Sequence, residues 1–195
     1  MDGIQLEAAL EGILFAAGEP VTLTRLAAAL GVSETEVSMA ADRISLRLNV
    51  PDSGIRLLRL DRMLQLSSAP ELGDVIRAAL EVRKPPRLSA AALEVLSIVA
   101  YFQPVTRAYI EQVRGVDSSY TVSILIDRGL IEPAGTLDAP GRPTLFKTTT
   151  AFLRTFGISS IEELPELPDI AENEDEKSLK TSIEALSAGK EGDAE

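Results

Sequence analysis

The 195-residue chain contains neither cysteine nor histidine. The first absence removes disulfides and thiolate chemistry and fits a cytoplasmic protein. The second removes the commonest general base and the commonest zinc ligand. Catalysis would have to rest on carboxylates, lysine, tyrosine, serine or threonine, and no acid–base set, metal set or glycine-rich phosphate loop is legible among them. A non-enzymatic protein without cofactor or metal is expected. Apolar runs such as IVAYF (98–102) fall far short of the ~20 residues a membrane span requires. The N-terminus has no basic region leading into an apolar core, so no secretion signal is expected either. At 45% hydrophobic and 25% charged, the chain can fill the core of one domain or of two small ones.

Basic residues are also scarce, and unevenly so. The formal charge is −11, yet from Glu162 onward twelve acids face three lysines, which leaves residues 1–161 only two charges below neutral. The last stretch, AENEDEKSLKTSIEALSAGKEGDAE, has no aromatic residue and few large apolar ones. Such a segment cannot offset its ordering entropy by burial, so an acidic, disordered tail is expected over 169–195. Leu179, Ile183 and Leu186 nonetheless share one helical face, which leaves a partner-binding helix open.

An internal repeat organises the rest. EPVTLTRLAAALGVS (19–33) lies over QPVTRAYIEQVRGVD (103–117) at an offset of 84 residues, with Pro20/Pro104, Val21/Val105, Thr22/Thr106, Gly31/Gly115 and Val32/Val116 shared. Each copy follows an apolar helix-like run (6–18 and 88–102). In the first copy Leu23, Leu26, Ala27 and Leu30 form a helical stripe, with Thr22 as N-cap and Gly31 closing it. A second helix starts at Ser33 with Glu36 completing a capping box, and Val37, Ala41, Ile44 and Leu48 share a face. Then GIRLLRL and MLQLSSA flank Asp61–Arg62 as a hairpin, with Leu58 and Leu60 set against Leu64 and Leu66. Helix, helix-turn-helix and two-stranded wing define a winged helix. In the second copy the turn is RGVDSS, with Ser118 and Ser119 as caps, Gly129 ends the next helix, and residues 129–149 supply the wing. The fold expected is mainly α with small β wings: two tandem winged-helix domains.

A winged helix can read DNA or bind protein, and the charges favour protein. The two helices that would enter a major groove, SETEVSMAADR and DSSYTVSILIDR, begin with acids, so Glu34, Glu36 and Asp117 would face phosphates. At the second wing tip, DAPGRP offers a single arginine, Arg142, with Asp138 nearby. Pro140–Gly141 fits the two central positions of a type II turn better than a minor-groove hook. Arg56, Arg59 and Arg62, with Arg83, Lys84 and Arg87, keep weak backbone binding open, so a winged-helix DNA-binding transcriptional regulator remains the alternative reading.

The stretches EGILFAAGEPVTLTRLAAAL, SIVAYFQPVTRAYIEQVRGVDSS and DRGLIEPAGTLDAPGRPTLFKTTTAFLRTFGISSIEELPEL resemble the segregation and condensation protein B (ScpB) family over about residues 4–168. Two departures lie in the second wing. Phe146–Lys147 stands where the family usually has an aromatic and then a glycine, and Thr136–Leu137 stands where a basic residue often follows the wing glycine. The resemblance implies a non-enzymatic homodimer that clasps the central region of the kleisin ScpA and, through it, the SMC protein of the chromosome-condensation complex. Contact with DNA would be indirect or weak, and the location cytoplasmic, at the nucleoid. It implies domains at 1–82 (dimerisation) and 88–168 (kleisin binding), joined by a linker at 83–87. The first helix carries an apolar arc wider than one packing stripe needs, with Ile4, Ala8 and Phe15 beyond the main side. Leu6, Leu10, Ile13 and Leu14 are the expected dimer contacts. Tyr101, Gln103, Arg107, Glu111, Arg114, Asp117 and Arg142 are the expected kleisin contacts, although Tyr101 could equally be core and Arg107, Glu111 and Arg114 a solvated helix face.

Overall fold

A computed structural model describes residues 3–82 and 86–167. The expected order of elements occurs twice. The first module comprises α1 (Gly3–Ala17), β1 (Val21–Thr22), α2 (Leu23–Leu30), α3 (Glu34–Leu48), β2 (Ile55–Leu60) and β3 (Met63–Ser68). A 3-10 turn and α4 (Gly73–Leu80) follow it. The second module comprises α5 (Ala90–Phe102), β4 (Val105–Thr106), α6 (Arg107–Arg114), α7 (Ser119–Asp127), β5 (Ile131–Thr136), β6 (Thr144–Thr148) and α8 (Thr150–Phe156). Each module pairs its hairpin with a two-residue strand into an antiparallel sheet, in the orders β1-β3-β2 and β4-β6-β5. The chain divides into two units, residues 1–164 and 165–195. The expected linker is described only at Pro86 and Arg87, and the expected tail lies outside the described residues.

The local signals act as their chemistry requires. The Thr22 hydroxyl accepts from the Arg25 amide, and Gly31, at φ 68°, ends α2 in a left-handed conformation that costs glycine least. Ser33 and Glu36 make both bonds of the capping box. The second copy repeats the first cap with Thr106 and Tyr109 and closes α6 at Gly115, φ 70°. The repeat then slips by one residue. Two residues separate Gly31 from α3, whereas three separate Gly115 from α7, beginning at Ser119. Ser118 makes no capping bond with its own side chain. Its amide instead donates to Glu111 Oε1 (3.2 Å), and that of Ser119 to Asp117 Oδ1 (3.3 Å).

The first wing departs from the expected register. Asp61–Arg62 is the turn, but Leu57 pairs with Leu66 and Arg59 with Leu64, while Leu58 pairs with Gln65 and Leu60 with Met63. Side chains alternate along a strand, so Leu58 and Leu60 share a face opposite to that of Leu64 and Leu66. Leu57, Leu64 and Leu66 pack into the first module's core. Leu58, Leu60 and Met63 pack into the second module's core, with Ile158 and Ile161 among its other members. The adjacent leucines Leu57 and Leu58 mark a sheet buried on both sides. Polar bonds fix the seam: the Asp61 amide donates to Ser159 O (2.6 Å) and Arg154 to Gln65 Oε1 (3.1 Å).

Candidate protein-interaction interfaces

On α1 the residues expected as dimer contacts pack largely inward. Leu10 and Leu14 are fully buried and Leu6 nearly so, all within the first module's own core, with Ile13 partly buried against it. The small module uses this stripe to fold. The apolar residues left outside are the remainder of the wide arc, Ile4 (83% exposed) and Phe15 (76%), with Ala8 and Gly12 between them. The neighbouring helix α3 adds Met39 and Leu46 (80% exposed), which its spacing puts on one face, and Val50 is exposed just beyond its end. Two ion pairs, Glu7 with Arg43 (2.5 Å) and Glu11 with Arg47, bridge α1 and α3. The outer surface is thus an apolar two-helix face whose charged seam is neutralised from within. Four large exposed apolar side chains on two adjacent helices, with Val50 just past the second, exceed the scatter ordinary for a soluble surface.

The second helix-turn-helix brings most of its predicted polar residues together, turned largely toward one another. Arg107 pairs with Glu111 at 3.6 Å. Glu111 accepts from the Ser118 amide, tying α6 to the start of α7. The Arg114 side chain is only 10% exposed; it donates to Glu94 Oε2 (3.0 and 3.2 Å) and to Ser118 Oγ (2.8 Å), and the Ser118 hydroxyl donates to Val116 O. Asp117 holds the Ser119 amide and hydroxyl. Gln103 lies apart from this network and latches α5 to the wing, its Oε1 accepting from the amide (2.6 Å) and hydroxyl (2.9 Å) of Thr148. Tyr101 is half-buried on α5. Arg142 is exposed at the far wing tip, where Arg142 N donates to Ala139 O across Pro140–Gly141 with Gly141 at φ 83°, as the turn reading expects. The network rigidifies the turn and leaves Val113, Val116 and Tyr120 (77% exposed) outside it. The sequence reading missed these three, because apolar residues at the ends of two short helices and in the turn between them read as core until the helices are docked.

The arginines of the first wing, which would meet DNA, are engaged within the chain. Arg59 pairs with Asp42 (2.6 Å), Arg62 with Glu34, and Arg56, 13% exposed, with Glu71 at 3.5 Å. Glu36, on the helix that would enter the groove, has its pKa lowered by the bonds from the Ser33 amide and then the Ser33 hydroxyl, so it is ionised at neutral pH. Arg83 and Lys84 lie outside the described residues. Among the described residues no helix is long and apolar enough to cross a membrane.

The family model of the segregation and condensation complex subunit ScpB matches residues 8–167, which spans both modules and the wing seam. The chain belongs to the ScpB family. It is 39% identical over 193 residues to segregation and condensation protein B of Acetivibrio thermocellus, covering 94% of this chain and 98% of that protein. To segregation and condensation protein B of Caldanaerobacter subterraneus it is 42% identical over 161 residues, covering 83% and 96%. Among solved structures, ScpB of Mycobacterium tuberculosis is 34% identical, with 81% of this chain and 98% of that one covered and a TM-score of 0.40. One departure from the usual ScpB wing has a physical account here. Lys147 stands opposite Glu132 in the β5–β6 ladder, and the two form an ion pair at 3.4 Å. For Thr136–Leu137 the structure offers no comparable partner.

Proposed function

We propose that this chain is a non-enzymatic adaptor that works as a homodimer, binding the central region of the kleisin ScpA and, through ScpA, the SMC protein at the nucleoid. Residues 1–82 carry the dimer contact and residues 88–168 the kleisin contact. Membership of the ScpB family supports the role in segregation and condensation. The observation that carries the reading is the fate of the surfaces a winged helix would give to DNA. The first wing is buried on both faces, its arginines are ion-paired, and Glu34 and Glu36 open the first groove-facing helix. Neutralising phosphates is the main source of DNA affinity, and these elements supply little free positive charge for it.

The dimer contact is assigned to the outer α1–α3 face. Ile4 and Phe15 lie at opposite ends of one stripe with small Ala8 and Gly12 between them. An antiparallel copy would therefore set Ile4 against Phe15 across a two-fold axis, with close backbone approach at the centre. The seam carries no bare charge to oppose its own image. Titrating ScpA into the full chain, alongside gel shifts on specific and random duplexes, tests the whole reading. Saturable ScpA binding and only weak, salt-sensitive shifts common to both duplexes are expected. Tight binding to one duplex at physiological salt would favour a regulator instead.

A further inference from the structure

The face of α5 turned toward α8 is not filled. Leu93, Ser97, Ala100 and Tyr101 recur at i, i+4, i+7 and i+8, one side of a helix. The two small residues sit between the two large ones, so the face is low in the middle. Across from it, Phe152 and Phe156 lie one turn apart with ring centroids at 4.7 Å and planes tilted by 37°. With Leu96 as floor and Leu164 at one end, these residues enclose an open, almost wholly apolar cavity of about 160 Å³. An apolar cavity of ~150 Å³ holds one benzene ring, so this one has room for a single leucine or phenylalanine side chain. Its mouth is already apolar, with Leu93 43% and Phe156 46% exposed.

Charge decides what enters. The turn at Ile161–Glu163 leads directly into Leu164, so Glu162 and Glu163, both exposed, immediately precede the residue at that end of the groove. The Ser160 hydroxyl holds the Glu162 carboxyl below its ordinary pKa, so it is charged at neutral pH. Two acidic side chains at that rim favour basic residues in the segment that docks there. We propose that the groove between α5 and α8 docks one apolar side chain of a partner-protein segment whose neighbouring residues are basic. The inference rests on the reading that the second module holds ScpA, and adds the chemistry of the segment held. The residue accounts for the recess, and the rim for its selectivity.

The test uses the full chain, methyl-labelled for NMR, with two blocked peptides, Lys-Lys-Leu-Phe-Lys-Lys and Glu-Glu-Leu-Phe-Glu-Glu. The basic peptide should shift the methyl resonances of Leu93, Leu96 and Leu164 at concentrations at least tenfold lower than the acidic one, and added salt should narrow the gap. Ser97→Trp, which fills the recess, and Leu93→Lys, which sets a cation at its mouth, should each abolish those shifts and weaken full-length ScpA binding at least tenfold. Leu93→Lys changes a half-exposed position, so it reports even where Ser97→Trp fails to fold. Groove shifts that are equal for the two peptides, absent for both, or produced by concentrating the chain alone overturn the inference. If the wild-type chain fails to bind ScpA while the basic peptide still shifts the groove, the kleisin reading falls and the groove's chemistry stands.

Discussion

Arg114 distinguishes a structural arginine from a binding one. Its side chain is nine-tenths buried and its guanidinium serves two partners, the 62%-exposed Glu94 and the buried Ser118 hydroxyl. The ion pair is screened on the Glu94 side and contributes about 0.5 kcal/mol. Removing the donor to Ser118 and the stem that packs beside it costs more, about 2 kcal/mol, because a hydroxyl that is almost wholly inaccessible loses a charged donor that water cannot replace. Arg114→Ala should therefore destabilise the chain by about 2–3 kcal/mol, and Glu94→Ala by under about 1 kcal/mol. For a unit of 164 residues, about 2–4 °C per kcal/mol puts the Arg114→Ala melting point roughly 4–12 °C below wild type. Differential scanning calorimetry of both variants measures this directly. Equal losses for the two, or an Arg114→Ala melt within 1 °C of wild type, would refute the reasoning. Arg107, more than half exposed, should show the reverse pattern, with little change in melting when replaced by alanine.

Three further outcomes follow from the same geometry. Leu10→Ala should cost about 2–5 kcal/mol in urea denaturation, the range for a buried leucine truncated in a packed core; a cost under 1 kcal/mol would return Leu10 to the surface. Glu36 has a folded pKa below its unfolded value, so its capping contribution is complete at neutral pH and lost as pH falls through the folded value. The melting difference between wild type and Glu36→Gln should accordingly shrink on acidification, and a difference constant from pH 7 to pH 3 would contradict the charged capping box. Gly141→Val should destabilise the second wing, since a β-branched residue resists φ near 83°, with hydrogen exchange at Thr144–Thr148 accelerating while the first module stays protected.

What the sequence made legible was chemistry that acts locally. Thr22, Gly31, Ser33 with Glu36, and Pro140–Gly141 each satisfy or bend their own backbone, so their residue types suffice to identify them. Its failures are long-range. The alternation in IRLLRL signals a strand, but whether Leu58 faces its own module or the next depends on a surface about a hundred residues away. α4 went unread because none of its residues is buried, which leaves no packing stripe to recognise. The same limit applies at the interfaces. Leu6, Leu10 and Leu14 have the spacing of a contact stripe, and only the docking of α2, α3 and β3 decides that the contact is internal. Arg114 and Glu111 look like a free polar face until Ser118 and Glu94 are brought to them.

The most direct test of the central claim is the mass of the full chain by light scattering at tens of micromolar, for wild type and for Phe15→Asp, with circular dichroism on both. Phe15 is three-quarters exposed, so the substitution spares the core. The expected result is twice 20.9 kDa for wild type and a folded single chain for the variant. A monomeric wild type, or a Phe15→Asp variant that still dimerises, would contradict an adaptor that pairs through the outer face of α1 and α3.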